Sequence, residues 1–310
     1  MKDCPYVYDE KADLLSLRDP MILLDGDTHY LTGTQPPYWD GLNDGVHLWS
    51  SPNLKYWTDC GNILKRTDLA ESFWGIDRFW APELFKTKDN QYILSFNACN
   101  NTEKYHHSLG VGLAVSDRVT GPYHIVTVDA PINEKFSDTG NDGSLFCDDD
   151  GQLYICFNGS KVLYLCKLDT KSWSVDGKPE VVCYPETAGW DSAGIEGPCI
   201  VKRNGVYFYW YSSWTWGYAA GVLTSNSIHG PWTKSSDNPI LFDSDLWHSA
   251  GHNNCLRAKD GKDYISFHAN MKAPEDGQKE RIFILPVEYM PDGKVILGKE
   301  PVTSIKDFEL

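Results

Sequence analysis

The sequence predicts an all-β fold, a five-bladed β-propeller with four-stranded antiparallel blades around a central axis. Three observations predict it. A unit consisting of an apolar strand, a polar turn and a Tyr-led aromatic strand occurs five times. The units recur every 54 to 62 residues. Helical periodicity is almost absent, and only residues 66–74 leave room for a turn or two of helix.

The units follow in order. Residues 19–32 read DPMILLDGDTHYLT, residues 81–96 APELFKTKDNQYILSF and residues 142–157 DGSLFCDDDGQLYICF. Residues 196–211 read EGPCIVKRNGVYFYWY and residues 251–268 GHNNCLRAKDGKDYISFH. Each is a hairpin, because two strand-forming runs flank a turn rich in Asp, Asn and Gly. A second pattern follows inside each unit: GVHLWSSPNLKYW at 45–57, GVGLAVSDRVTGPY at 110–123 and AGVLTSNSIHGPW at 220–232. The more divergent segments 161–173 and 281–297 occupy the same places. Each unit thus supplies about four short strands. A sandwich would give evenly spaced strands but no reason for five similar units, whereas radial repetition does. A propeller closes as a unit, so residues 1–310 are expected to form a single domain.

Composition narrows the function. The 310 residues are 41% hydrophobic with a mean hydropathy of −0.41, as in ordinary globular chains. Aromatics make up 13%, including 12 Trp and 17 Tyr, which suits packed strands and also the faces on which sugars stack. The net charge of −15 and the lack of any Lys/Arg cluster argue against nucleic acid and anionic membranes as partners, and suit a neutral glycan. Nine cysteines lack CxxC spacing, and several (Cys99, Cys156, Cys166, Cys199) sit in apolar runs as small buried hydrophobes. The N-terminus shows no apolar leader and no stretch approaches a membrane span. With the free thiols, this makes a cytoplasmic location the expectation. No motif specifies an oligomeric state.

In a propeller the first strand of each blade lines the axis, so the residues opening the five units should converge. They are Asp19, Ala81, Asp142, Glu196 and Gly251. Three acids at such positions repel one another and raise one another's pKa, a cost that needs a reason. Turn capping explains one acid better than three, and a carboxylate cage for a hard cation is the other structural alternative. Glycosidic hydrolysis uses two carboxyl groups in one cleft, one protonated and one ionised, and a third acid can keep the donor protonated. No GxSxG, HExxH, P-loop or GxGxxG-to-helix pattern competes. His29, His47, His106, His107 and His268 have no metal-ligand spacing, and packing or surface roles are expected. His252 follows the fifth opening residue and should point to the axis.

These residues resemble glycoside hydrolase family 43 across essentially the whole chain. The marks are Arg18-Asp19-Pro20, Trp80-Ala81-Pro82-Glu83, Asn141-Asp142-Gly143-Ser144 with Asp148-Asp149-Asp150-Gly151, Ile195-Glu196-Gly197-Pro198 and Gly251-His252. The resemblance implies an inverting glycosidase acting on arabinose- or xylose-containing glycans such as arabinoxylan. Asp19 resembles the general base, Asp142 the pKa modulator and Glu196 the general acid. Trp80 matches a pocket-lining aromatic, Trp74 and Phe79 are further candidates, and Arg281 matches an arginine that reaches the sugar. His252 looks like the family's axial histidine, beside a Ca²⁺ or other ion held largely through water. The chemistry itself needs no cofactor. The C-terminal β-sandwich of many β-xylosidases is missing, which points to an α-L-arabinofuranosidase ahead of a β-xylosidase or an endo-arabinanase. Two rivals from other classes are a retaining sucrose- or fructan-type hydrolase and a non-catalytic glycan-binding propeller.

Overall fold

The computed structural model describes residues 17–39, 41–100, 108–272 and 280–302. The N-terminal segment read for a leader and the residues His106 and His107 lie outside them. Twenty strands form five four-stranded antiparallel sheets, each of consecutive strands. Blade 1 contains β1 (Arg18–Asp25), β2 (Thr28–Thr34), β3 (Gly45–Ser51) and β4 (Thr58–Lys65). Blade 2 contains β5 (Arg78–Lys86), β6 (Tyr92–Asn100), β7 (Ser108–Ser116) and β8 (His124–Ile125). Blade 3 contains β9 (Asn141–Cys147), β10 (Leu153–Gly159), β11 (Val162–Asp169) and β12 (Ser174–Cys183). Blade 4 contains β13 (Glu196–Arg203), β14 (Val206–Ser213), β15 (Ala219–Ser225) and β16 (Thr233–Lys234). Blade 5 contains β17 (Trp247–Arg257), β18 (Asp263–Met271), β19 (Glu280–Tyr289) and β20 (Val295–Leu297). The expected helical segment shrinks to one 3₁₀ turn at Arg66–Asp68.

The five first strands touch in a ring, β1 to β5, β5 to β9, β9 to β13, β13 to β17 and β17 to β1, so the chain is a five-bladed propeller. The second strands are largely buried on both faces because each face meets a different blade. On β14, Phe208 and Trp210 enter the cluster shared with blade 5, while Tyr207, Tyr209 and Tyr211 enter the one shared with blade 3. Three further clusters fill the remaining interfaces: Leu48 with Phe96, Leu113 with Phe157, and Trp49 with Ile282. Full burial of each such side chain stabilises the fold by about 1.5–3 kcal/mol. The buried thiols Cys99, Cys156, Cys166 and Cys199 are unpaired, as expected of small apolar fillers. Among the described residues no helix is long and apolar enough to cross a membrane.

Candidate active site

The innermost strands share one irregularity. The pairs Arg18–Thr34 and Met21–Thr32 leave one extra residue on β1. The same insertion follows Trp80, Asn141, Glu196 and Gly251 on the other four first strands. Such a β-bulge breaks the ladder and re-aims a side chain. Its first residue takes a left-handed backbone in every blade: Asp19 (φ 50°), Ala81 (42°), Asp142 (56°), Gly197 (59°) and His252 (47°). For the four residues other than glycine this costs about 1–2 kcal/mol each, and surrounding contacts hold it.

These five are the equivalent positions, which corrects the expectation that the residues opening the five units are equivalent. Asp19, Ala81 and Asp142 keep their places, but Gly197 and His252 replace Glu196 and Gly251. Glu196 stands one residue earlier, level with Arg18, Trp80 and Asn141. The slip arises because the Tyr leading the second run of each unit does not hold one register, across turns that also differ in length. It pairs four residues after the bulge residue in blades 1, 3 and 5 (Tyr30–Leu23, Tyr154–Phe146, Tyr264–Leu256) and five after it in blades 2 and 4 (Tyr92–Lys86, Tyr207–Lys202). Asp25 pairs with Thr28 and Arg203 with Val206, whereas Lys86 pairs with Tyr92, Cys147 with Leu153 and Arg257 with Asp263.

Each bulge amide leaves the ladder and needs another acceptor. Four find one on the second strand of the preceding blade. Ala81 N donates to Thr34 Oγ1 (2.7 Å), Asp142 N to Asn97 Oδ1 (2.7 Å), His252 N to Ser212 Oγ (2.8 Å) and Asp19 N to His268 Nδ1 (3.1 Å). Gly197 N departs from the pattern and donates to Asp142 Oδ2 (2.9 Å). Asn158, which holds the acceptor position in blade 3, keeps a buried Oδ1 without a hydrogen-bond partner among the described residues.

The geometry gathers the three acids around His252. Asp19 Oδ1 lies 3.3 Å from His252 Nδ1, and Asp142 Oδ2 lies 3.8 Å from the same nitrogen. Asp19 Oδ2 accepts from Thr34 Oγ1 (2.6 Å), and Asp142 Oδ1 accepts from Asn97 Nδ2 (2.8 Å). Glu196 Oε1 accepts a short hydrogen bond from Tyr218 Oη. One ligand atom each from Asp142, Glu196 and His252 fits within 4.8 Å.

Electrostatics separate the acids. Burial pushes the Asp19 carboxyl up, but His252, His268, Arg18 and the Thr34 hydrogen bond outweigh it and hold it at about 2. His268 is itself held far below the usual imidazole range by burial and Arg18, so the positive charge beside Asp19 comes from His252 and Arg18. Burial and then the neighbouring Asp142 push Glu196 up to about 7. Asp142 is raised by burial against the pull of His252, with Asp19 adding to the rise. Asp19, Asp142 and Glu196 together raise His252 against the effect of its burial. The site thus biases Asp19 towards the ionised form and Glu196 towards the protonated one, with His252 made more basic beside Asp19.

A 390 Å³ pocket opens over this group, walled by Arg18, Tyr38, Trp39, Arg78, Trp80 and Tyr218. The Arg18 guanidinium lies 5.2 Å from the centre of the Trp39 ring and that of Arg78 5.3 Å from Trp80. Trp80 thus stands where expected, anchored by its Nε1–H to Tyr38 O (2.6 Å). Trp74 and Phe79 do not. Both are 1% exposed in the cluster between blades 1 and 2, Trp74 donating to Thr127 O and Phe79 packing 5.3 Å from Phe96. Arg281 is likewise buried, at 2% exposure, and is absent from the pocket wall. Arg18 and Arg78 bring guanidinium groups there instead. Sequence reasoning missed Tyr218, although the aromatic link 213–219 signalled it, and placed His268 in a packing role when it supports Asp19. It also missed Glu83, which lines a 680 Å³ cavity at the other end of the first strands and is pushed up to about 7 by burial.

Asp142, Glu196 and His252 offer a cation two oxygens and one nitrogen. Ca²⁺ takes about six to eight oxygen ligands, so water would have to supply most of its shell. Hydrolysis by a pair of carboxyl groups needs no such ion.

Comparison with known proteins agrees with this arrangement. The model of glycosyl hydrolases family 43 matches residues 15–295. The chain is similar to beta-D-galactofuranosidase xynD of Aspergillus niger, 26% identical over 80% of this chain and 72% of that protein. It is also similar to the extracellular exo-alpha-(1->5)-L-arabinofuranosidase ArbA of Cellvibrio japonicus, 24% identical over 88% of this chain and 84% of that one. A crystal structure of an endo-1,4-beta-xylanase from Bacteroides thetaiotaomicron superposes with a TM-score of 0.77 at 27% identity, covering 93% of this chain and 96% of that one.

Proposed function

The chain belongs to glycosyl hydrolases family 43, and from that membership we propose that it is an inverting α-L-arabinofuranosidase acting on arabinose-containing plant glycans. One observation carries the proposal: two largely buried carboxyl groups at one pocket are pushed in opposite directions, Asp19 down to about 2 and Glu196 up to about 7. In this reading Asp19 takes a proton from a water molecule on one face of the anomeric carbon. Glu196 gives its proton to the departing oxygen on the other face. Asp142 keeps Glu196 protonated near neutral pH, and His252 keeps Asp19 ionised. Two relatives named as furanosidases support a five-membered sugar ring at the cleaved residue.

Two mutants test the roles. Glu196→Ala should keep much more activity on an aryl arabinofuranoside with a good leaving group than on a natural linkage, since such a group leaves without a proton. Asp19→Ala should lose about 10²–10⁴-fold on both. Equal losses for the two mutants on both substrates would refute the assignment. Proton NMR of the first-formed anomer tests inversion, and retention would favour a different mechanism.

A further inference from the structure

The first strands begin at the acids, so the links after the second and fourth strand of each blade lie on the pocket face. Six aromatic side chains are exposed among the described residues, and five of them sit on those links: Trp39, Tyr184, Trp214, Trp216 and Phe242. Tyr56 alone lies on the opposite face. Aromatic rings left in water at one end of a molecule call for an occupant.

The two indoles on the link 214–218 are presented by a rigid segment. Its turn is closed by a bridge between Thr215 and Gly217, and Thr215 Oγ1 accepts from Ala193 N (2.8 Å). Tyr218 N donates to Ser249 Oγ (3.0 Å). The Trp214 ring rests on Gly194, where any Cβ would come within 2.6 Å of its Cη2. Both indoles still face solvent, Trp214 at 41% and Trp216 at 66% exposure. A well-bonded link that spends its ordering on exposed rings is built for stacking, not for the core.

Its position names the occupant. The same link ends in Tyr218, whose hydroxyl bonds Glu196, and Gly194 lies two residues before that acid. A general acid protonates the oxygen of the leaving group, so the sugars beyond the cleaved bond extend past the acid. We propose that Trp214 and Trp216 form a stacking platform for the leaving-group side of a neutral glycan chain, so that the natural substrate is an oligomer or polymer with several sugars beyond the cleaved residue. The apolar faces of sugar rings lie flat on indoles, and the polar edges stay hydrated. This inference rests on Glu196 acting as the proton donor.

The test follows chain length. With arabino- and xylo-oligosaccharides of increasing length, kcat/KM of the wild type should rise with each sugar added on the leaving-group side, mostly through KM. In Trp214→Ala/Trp216→Ala that rise should vanish, about a tenfold loss on the longest substrates. Trp216→Ala alone removes a ring that is 66% exposed, and should lose part of the rise with the fold intact. A rise that survives in the double variant would overturn the proposal, as would an equal loss at every length. Affinity electrophoresis in gels of arabinan or arabinoxylan supplies a readout that needs no turnover. Retardation that the double variant abolishes supports the platform even if no oligosaccharide is cleaved, an outcome that would refute the substrate reading alone. Absent or unchanged retardation overturns the platform.

Discussion

Tyr218 is fixed from three directions: its amide is bonded to Ser249, its ring stacks 5.2 Å from His268, and Gly251 passes so close that a Cβ there would lie 2.2 Å from the ring. Only the hydroxyl has a task left, and it donates to Glu196 Oε1. That bond favours the ionised carboxylate and opposes burial and Asp142, which raise the same group. Removing it in Tyr218→Phe raises the Glu196 pKa further. The alkaline limb of kcat/KM, where the proton donor is lost, should therefore move up by about one pH unit. A merely structural role would lower the rate at every pH and leave the limb in place. Single residues were read from the sequence unevenly. Asp19, Asp142 and Glu196 stood out because carboxylates are costly among apolar neighbours. Trp74 and Phe79 were misplaced because an aromatic beside a motif looks the same whether it faces a pocket or a blade interface, and only packing decides.

At the scale of the strand, the bulge converts a generic hairpin into a site. It frees an amide, turns one residue into the left-handed region and lets the preceding blade answer with a side chain. Thr34 serves both functions, since its hydroxyl donates to Asp19 Oδ2 and accepts from Ala81 N. Thr34→Val keeps the shape and removes both bonds. Stability should fall by about 1–3 kcal/mol, measured by denaturant unfolding, because a buried amide loses its acceptor. The Asp19 carboxyl, held low partly by that bond, should rise, so the acid limb of activity moves to higher pH. An unchanged limb would show that the hydroxyl does not tune the base. The five hairpins were legible from alternation and turn residues. The bulges were not, because an extra residue inside a strand carries no compositional mark, and the turns differ in length.

At the scale of the whole molecule, five blade interfaces made the repeat count readable, since every second strand must pack against a neighbour on both faces. How the ring closes was not readable. Among the described residues no strand crosses from the last sheet to the first, as every sheet is built from consecutive strands. Closure relies on apolar packing and on polar contacts that include Arg18 with Glu280 (3.2 Å), Asp19 N with His268 Nδ1 (3.1 Å), Asp19 Oδ1 with His252 Nδ1 (3.3 Å) and Ser266 Oγ with Pro20 O (2.6 Å). The proposed base therefore sits in the weld of the ring. A gap opening there would misplace Asp19 while all five sheets stayed whole. In a urea titration, turnover should disappear at lower denaturant than the far-ultraviolet β signal, and coincident midpoints would show that the weld and the sheets fail together. The enzyme would then act as its own gauge of closure, falling silent when the circle parts and before any blade unravels.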